Sequence, residues 1–458
     1  MRYNTKYPAR WRKYQAGLQQ RTKRRHYLKK LPFLLAIAVG LTTVLVILLF
    51  AGFQISAKLN RDDQSLLPSE KDLNANRLTL TRRDLAVFLT DITGDPLALA
   101  DRMVHKNEGG RYTIRTTLNT KLQSYITRLQ NRSRTLQSAV VVLSPYDGRI
   151  IAMAGYDANG GTGHLNLKAD YPAASLFKIV SAAAALEAAG FSPDQKLHFR
   201  GRRHTLYKNQ LKQSKGRYST QTTFRKAFAL SNNSVFGKLG IYDLGHDVLA
   251  GYAEKFFFNK LITFDLPLEM STIEVPTDDF GLAEIASGFN KKTLISPLHA
   301  TLLTAVAVNG GEMPIPWLVE TIQDDTGNIV YNAEPGVLNT AISSQTAANL
   351  KALMQDAVRY GTSRKAFRRL RRKKLFKKFE LGAKTGTIND KTDRFKYDWL
   401  AAYALAPDGT RGICIGILGV HGKILGTRST ELGRAIINYY FSSKMDSAGF
   451  PASSPTSN

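Results

Sequence analysis

The chain lacks a second cysteine. Cys414 is its one thiol, so no internal disulfide can form, and any part outside the cytoplasm must be held by packing alone. The surround of Cys414, Gly412-Ile-Cys-Ile-Gly-Ile-Leu, is apolar and reads as a buried strand. A reactive thiol needs a polar, electropositive setting, so Cys414 is expected to be inert. Metal-ligand spacing is missing as well: His105, His164, His198, His204, His246, His299 and His421 are scattered, and neither a metal nor a cofactor is expected. Gly160-Gly-Thr-Gly has no strand and helix framing it, which excludes a dinucleotide fingerprint.

Acid is absent from two stretches. Residues 1–30 hold eleven Lys and Arg without one Asp or Glu, and residues 364–378 hold ten more on the same terms. Taking those twenty-one cations from the net charge of +28 leaves +7 on everything else. The basic character is two local features and not a surface built for nucleic acid.

Between Leu31 and Phe53 charge of either sign is missing. Twenty-three such residues exceed the roughly 20 needed to cross about 30 Å of hydrocarbon. Lys and Arg crowd the N-terminal flank, so the positive-inside rule keeps residues 1–30 cytoplasmic and exports the rest. A cleaved signal peptide would need a shorter apolar core and a better small-x-small site than Ala51-Gly-Phe or Ser56-Ala. The expected organisation is a cytoplasmic basic segment (1–30), a transmembrane anchor (31–53), a stalk or small pedestal (54–111), a large domain (112–445) and a small-residue, disordered tail (446–458).

Within the large domain, Ala139–Leu143 and Arg149–Ala154 flank Pro145-Tyr-Asp-Gly, which predicts a β-hairpin. A second hairpin is predicted from Trp399–Leu405 and Gly412–Leu418 around Ala406-Pro-Asp-Gly. Mostly helical patterns lie between them, among them Leu298–Val308 and Ser344–Arg359, with another at Ser429–Phe441. Two early strands, late strands and intervening helices predict a mixed α/β fold whose sheet is closed by residues far apart in sequence.

Three short motifs carry chemistry. Ser175-Leu-Phe-Lys178 opens an almost wholly apolar helix running to Gly190, which places both side chains on one face. A serine hydroxyl is a weak nucleophile without a base beside it. A lysine can serve if burial and the helix N-terminus lower its pKa; otherwise the pair is a capped helix with a snorkelling lysine. Ser231-Asn232-Asn233 forms a polar knot between apolar flanks. It is either a turn with an asparagine capping itself or a hydroxyl and carboxamide able to relay a proton and hold an amide. Lys384-Thr385-Gly386-Thr387 lies in a strand pattern, where a cation, two hydroxyls and a glycine allow a substrate backbone to approach. The competing reading is an exposed edge guarded by lysine.

Taken in order, Ser-x-x-Lys, Ser-x-Asn and Lys-Thr-Gly resemble the penicillin-binding protein and serine β-lactamase superfamily. Asp398-Trp399, Phe280-Gly-Leu-Ala and Ser296-Pro-Leu-His-Ala are similar to transpeptidase segments, and the resemblance covers roughly residues 112–440. It implies a penicillin-binding transpeptidase fold with a five-stranded antiparallel sheet flanked by helices. It also implies peptidoglycan D,D-transpeptidation, with Ser175 acylated by D-Ala-D-Ala stem peptides and by β-lactams. Lys178 would be the base, Ser231 the proton relay steadied by Lys384, and Asn233 the holder of the substrate amide. Thr385 and Thr387 would bind the terminal carboxylate beside Gly386, and the N–H groups of Ser175 and Thr387 would form the oxyanion hole.

Neither Glu269-Met-Ser-Thr-Ile nor Glu274-Val-Pro-Thr-Asp matches the Glu-x-x-Leu-Asn of class A β-lactamases. About 120 residues between anchor and Ser175 are too few for a glycosyltransferase module. The resemblance therefore points to a monofunctional, class B-like enzyme with a reduced pedestal. A D,D-carboxypeptidase, a β-lactam sensor and an inactive wall-binding scaffold remain as alternatives. Arg364–Lys378 is either a solvated basic helix or a contact for an anionic envelope polymer or headgroup. Division or elongation role, acceptor strand and membership of a wall-synthesis complex stay open.

Overall fold

A computed structural model describes residues 80–443, apart from 93–99, 108–109, 162–163, 214–218 and 391. The expectations for residues 1–30, for the apolar run 31–53 and for the tail 446–458 lie outside the described residues. No helix among the described residues is long and apolar enough to cross a membrane.

The described part begins with α1 (Arg82–Ile92), β1 (Arg102–Asn107), β2 (Gly110–Thr116) and α2 (Thr120–Asn131), followed by β3 (Gln137–Leu143) and β4 (Ile150–Asp157). Helices dominate the middle: α3 (Lys178–Glu187), α4 (Phe224–Ala229), α5 (Asn233–Leu239), α6 (Asp279–Ser287) and α7 (Pro297–Val308). Next come β5 (Val319–Gln323), β6 (Ile329–Asn332), α8 (Ser344–Arg359) and α9 (Arg364–Arg372), then β7 (Glu380–Asn389), β8 (Lys396–Leu405), β9 (Gly412–His421) and α10 (Ser429–Ser442).

Five strands form one antiparallel sheet in the order β7-β8-β9-β3-β4. The two hairpins expected from sequence are joined by β9 pairing with β3, with Cys414 opposite Leu143 and Ile417 opposite Val140. Both faces are covered, which is why β9 is buried along its whole length. One face is packed by Leu122 and Ile126 of α2, Phe367 and Leu370 of α9, and Ile436 and Ile437 of α10. On the other, α7 presses so close that a Cβ on Gly416 would stand 2.2 Å from Thr301 Oγ1. Cys414 is fully buried there, and burial pushes its thiol well up.

The expected boundary at 111/112 falls inside β2. That strand pairs with β5, Ile114 opposite Ile322, in a second sheet of order β1-β2-β5-β6. β2 is thus completed by residues two hundred positions later, and the described residues belong to one compact unit.

Candidate functional site

Ser175 does not open the α-helix directly. Ala174–Phe177 is a 3-10 turn, and α3 starts at Lys178. Ala174 holds φ +48, a left-handed conformation that L-residues adopt at a cost. Gly288, just past the end of α6, sits against it at φ +61, and a Cβ there would lie 2.0 Å from the Ala174 carbonyl oxygen. Gly386 has the same service on the other side. The space its Cβ would take is bounded by Ala174 Cβ at 3.2 Å and Trp399 Cβ at 3.3 Å, so the glycine lets the serine turn rest on β7. Trp399, fully buried in β8, donates its indole N–H to Pro172 O at 2.8 Å and ties the same segment down.

Lys178 is wholly buried. Its Nζ lies 2.9 Å from Ser175 Oγ and 2.8 Å from Asn233 Oδ1, and it also contacts the Ser287 carbonyl. That carbonyl closes α6 and has no partner further along the helix to claim it. The amide of Asn233 is oriented by its own Nδ2, which donates to His204 O at 3.1 Å, so Oδ1 must face the lysine. Two of the three neighbours can therefore only accept. A neutral amine has two N–H donors for those two and one lone pair, which is left pointing at the serine hydroxyl. Burial first, and then the charge of Lys384, pull the Lys178 amine well below the ordinary lysine range. Three oxygens would also suit a charged amine, so it is the electrostatics that favour the neutral state, with which the geometry is compatible.

Lys384 repeats the pattern from the strand side. Also fully buried, it donates to Ser231 Oγ at 2.9 Å and to Thr385 O at 2.8 Å. Burial lowers its amine to about 7. An edge strand guarded by an exposed lysine is thereby ruled out for β7, although β7 is the edge of the sheet. Ser231 sits at φ +54 in the turn between α4 and α5, a strained position of the kind that collects at functional sites. The two asparagines divide the work. Asn232 is the capping residue, its Oδ1 accepting from Val235 N at 3.2 Å, which frees Asn233 to face Lys178.

Thr385 and Thr387 project from the opposite face of β7 to Lys384 and Gly386. Thr385 Oγ1 meets Thr362 Oγ1 at 2.7 Å, and Thr387 Oγ1 lies 3.4 Å from Asp398. Behind Thr387, the Asp398 carboxylate accepts from Arg428 Nη2 at 2.6 Å and Nε at 3.1 Å, and from Ser429 N at 2.8 Å. Burial opposes ionisation of Asp398, but His421 at 3.8 Å, the charge and hydrogen bonds of Arg428 and the Ser429 N–H outweigh it and hold the carboxyl below its usual range.

Sequence reasoning missed this pair, and it missed the wall beside Asn233. Asn233 N donates to Arg203 O at 2.7 Å. Gln210, 4% exposed, holds the approaching loop by donating to Arg200 O and Arg202 O at 3.0 and 3.1 Å. His204 stands close enough to the two buried lysines that burial, Arg203, Lys178 and Lys384 together depress its ring pKa.

Comparison with known proteins places the arrangement. The penicillin binding protein transpeptidase domain matches residues 138–435. Stage V sporulation protein D of Bacillus subtilis is 26% identical over 337 residues, covering 67% of this chain and 48% of that protein. The peptidoglycan D,D-transpeptidase PbpA of Mycolicibacterium smegmatis is 25% identical over 337 residues, 66% of each. The chain thus spans about half the length of the first relative. Among solved structures, the D,D-transpeptidase domain of a peptidoglycan glycosyltransferase from Eggerthella lenta superposes with a TM-score of 0.59 at 22% identity, covering 71% of this chain and 82% of that one. Penicillin-binding protein A of M. tuberculosis, solved as an imipenem acyl-enzyme, gives 0.58 at 23% identity over 71% and 79%. These likenesses establish the shared fold. The stretch that carries the five-stranded sheet, the serine turn and both buried lysines is the stretch the family shares, and the chain belongs to the penicillin-binding protein transpeptidases.

Proposed function

We propose that the chain is a monofunctional peptidoglycan D,D-transpeptidase, anchored by residues 31–53 with its catalytic domain outside the cytoplasmic membrane. The observation that carries this reading is the Lys178 amine, fixed by two obligate acceptors and 2.9 Å from Ser175 Oγ. In the proposed reaction Ser175 Oγ attacks the carbonyl of the penultimate D-Ala while its proton passes to the neutral amine of Lys178. The C–N bond to the terminal D-Ala breaks, and Ser231, held by Lys384, delivers a proton to the departing amine. An acceptor amine then attacks the ester and gives its proton to Ser231 Oγ, and as the ester C–O bond breaks the proton held by Lys178 returns to Ser175 Oγ. Thr385 and Thr387 are proposed to hold the terminal carboxylate, Asn233 the donor amide, and the Ser175 and Thr387 N–H groups the oxyanion. The organisation proposed is 1–30 cytoplasmic, 31–53 anchor, 54–111 stalk and pedestal, 112–445 catalytic and 446–458 tail.

Full-length protein given lipid-linked pentapeptide strands should yield cross-linked dimers that vanish in Ser175→Ala. Release of D-Ala with tetrapeptide and no dimer would make it a carboxypeptidase, water replacing the acceptor amine.

The site also predicts a pH dependence. Acylation requires neutral Lys178, so its rate should rise with pH along an acid limb far below 10.5. The Lys384 charge helps depress Lys178, so Lys384→Met should move that limb to higher pH in stopped-flow acylation by a penicillin. Stability follows the same sign. Lys384 titrates at about 7 folded and near 10.4 unfolded. Between those values the unfolded chain binds more protons, so stability rises with pH, by at most about 1.4 kcal/mol per unit from this group. Thermal melts from pH 7 to 10 should show that slope flattened in Lys384→Met. An acid limb unmoved by the substitution would contradict the coupling.

A further inference from the structure

The catalytic site leaves one large feature without a use. In α9 and the 3-10 turn that follows it (Lys374–Lys378), all ten Lys and Arg of residues 364–378 are exposed. The segment is not a loose tail. Phe367, Leu370 and Phe376 are 0%, 1% and 2% exposed and enter the core under the sheet, where Phe376 and Phe379 pack on Phe441. Among the described residues none of the ten cations takes part in an ion pair; Arg371 reaches the carbonyls of Val358 and Arg359, and Lys373 reaches Asn438.

Arg369, Arg371 and Arg372 suit the C-terminal end of α9, and Arg371 and Lys373 bond to neighbouring elements, but the cations also repel one another. Arg364 with Arg368, Lys365 with Arg369, and Arg368 with Arg372 are like charges one turn apart, which destabilise a helix. Arg364 and Lys365 also stand at its positive end. An outward cationic face that the fold carries at a cost, and that no internal acid neutralises, is complementary to an external polyanion. Leu375 narrows the choice. It is 45% exposed between Lys373, Lys374, Lys377 and Lys378, a pattern suited to a headgroup boundary, where an apolar side chain enters acyl chains while lysines meet phosphates.

We infer that Arg364–Lys378 is a docking face for the anionic phospholipid surface of the membrane in which the chain is anchored. The inference rests on the proposed anchor at 31–53, whose failure the following test separates.

Full-length protein would be placed in nanodiscs of phosphatidylcholine, or of phosphatidylcholine with phosphatidylglycerol, and acetylated under limiting reagent with mass-spectrometric readout. Lys373, Lys374, Lys377 and Lys378 should react several-fold more slowly in the anionic discs, while exposed Lys255 reacts equally in both. About 0.5 M salt should remove the difference, since screening then acts within a few ångströms. Exchanging Arg364, Lys365, Arg368, Arg369, Lys374 and Lys377 for Gln should remove the protection of Lys373 and Lys378. Equal labelling in the two discs overturns the inference, as does protection that soluble polyphosphate confers and anionic lipid does not. Failure of the chain to stay with the discs overturns the anchor and the docking face together. Acylation by a fluorescent penicillin in the same discs reports the catalytic proposal independently.

Discussion

Lys178→Met should slow acylation of Ser175 about a thousandfold, the middle of the range for loss of a positioned general base, and leave thermal stability nearly unchanged. Two effects oppose one another in the fold. Methionine fills the volume but leaves Asn233 Oδ1 and the Ser287 carbonyl without their donor, at about 1–3 kcal/mol for each buried acceptor left unpaired. It also removes an amine that is buried only by giving up its proton, a cost that the depression of its pKa records and that offsets part of the loss. The net change should stay within about 2 kcal/mol on these figures. Stopped-flow acylation beside a thermal melt reads both quantities. If rate and melting temperature fell together, Lys178 would be a structural lysine and the proposed base would have to be sought elsewhere.

The second large effect concerns a residue without a side chain. In Gly288→Ala the new Cβ would meet the Ala174 carbonyl oxygen at 2.0 Å and Ser175 Cα at 3.2 Å. Backbone stands on both sides of the clash, and Ala174 is already left-handed, so neither partner yields cheaply. Strain at positive φ and overpacking together should cost about 2–4 kcal/mol. Displacement of the nucleophile by about 1 Å should slow acylation roughly a hundredfold. Gly190→Ala supplies the comparison. It too has positive φ, at the far end of α3, but nothing lies within 4 Å of the added Cβ. About 1 kcal/mol of backbone strain is expected there, with acylation unchanged. Equal acylation rates in the two variants would show that Gly288 does not position the serine turn.

These two residues mark how far the sequence could be read. Ser175 and Lys178 were legible because three positions along a helix is a local spacing, and both hairpins announced themselves through Asp-Gly turns between apolar runs. The motif order then carried the family. Gly288 gave only the weak signal of a glycine after Ile285-Ala-Ser; its contact with Ala174 joins residues more than a hundred positions apart. The Ser287 carbonyl, a main-chain atom, leaves no trace in a side-chain pattern. Nor could spacing tell which asparagine of Ser231-Asn232-Asn233 caps the helix and which faces Lys178. β2 is completed by β5 across two hundred residues, although Val319–Asn332 does carry a hairpin signal around Asp324-Asp-Thr-Gly. Asp398 and Arg428 are thirty residues apart, and neither side chain predicts the pair alone.

The most direct test of the acyl-transfer assignment is the intact mass of the full-length protein in detergent after incubation with a fluorescent penicillin, followed over time beside Ser175→Ala. The account predicts one stable equivalent added to the wild-type chain and none to the variant. An adduct that forms and clears rapidly would make the chain a β-lactamase, and no adduct on a protein with a cooperative melt would contradict the assignment of Ser175 as nucleophile.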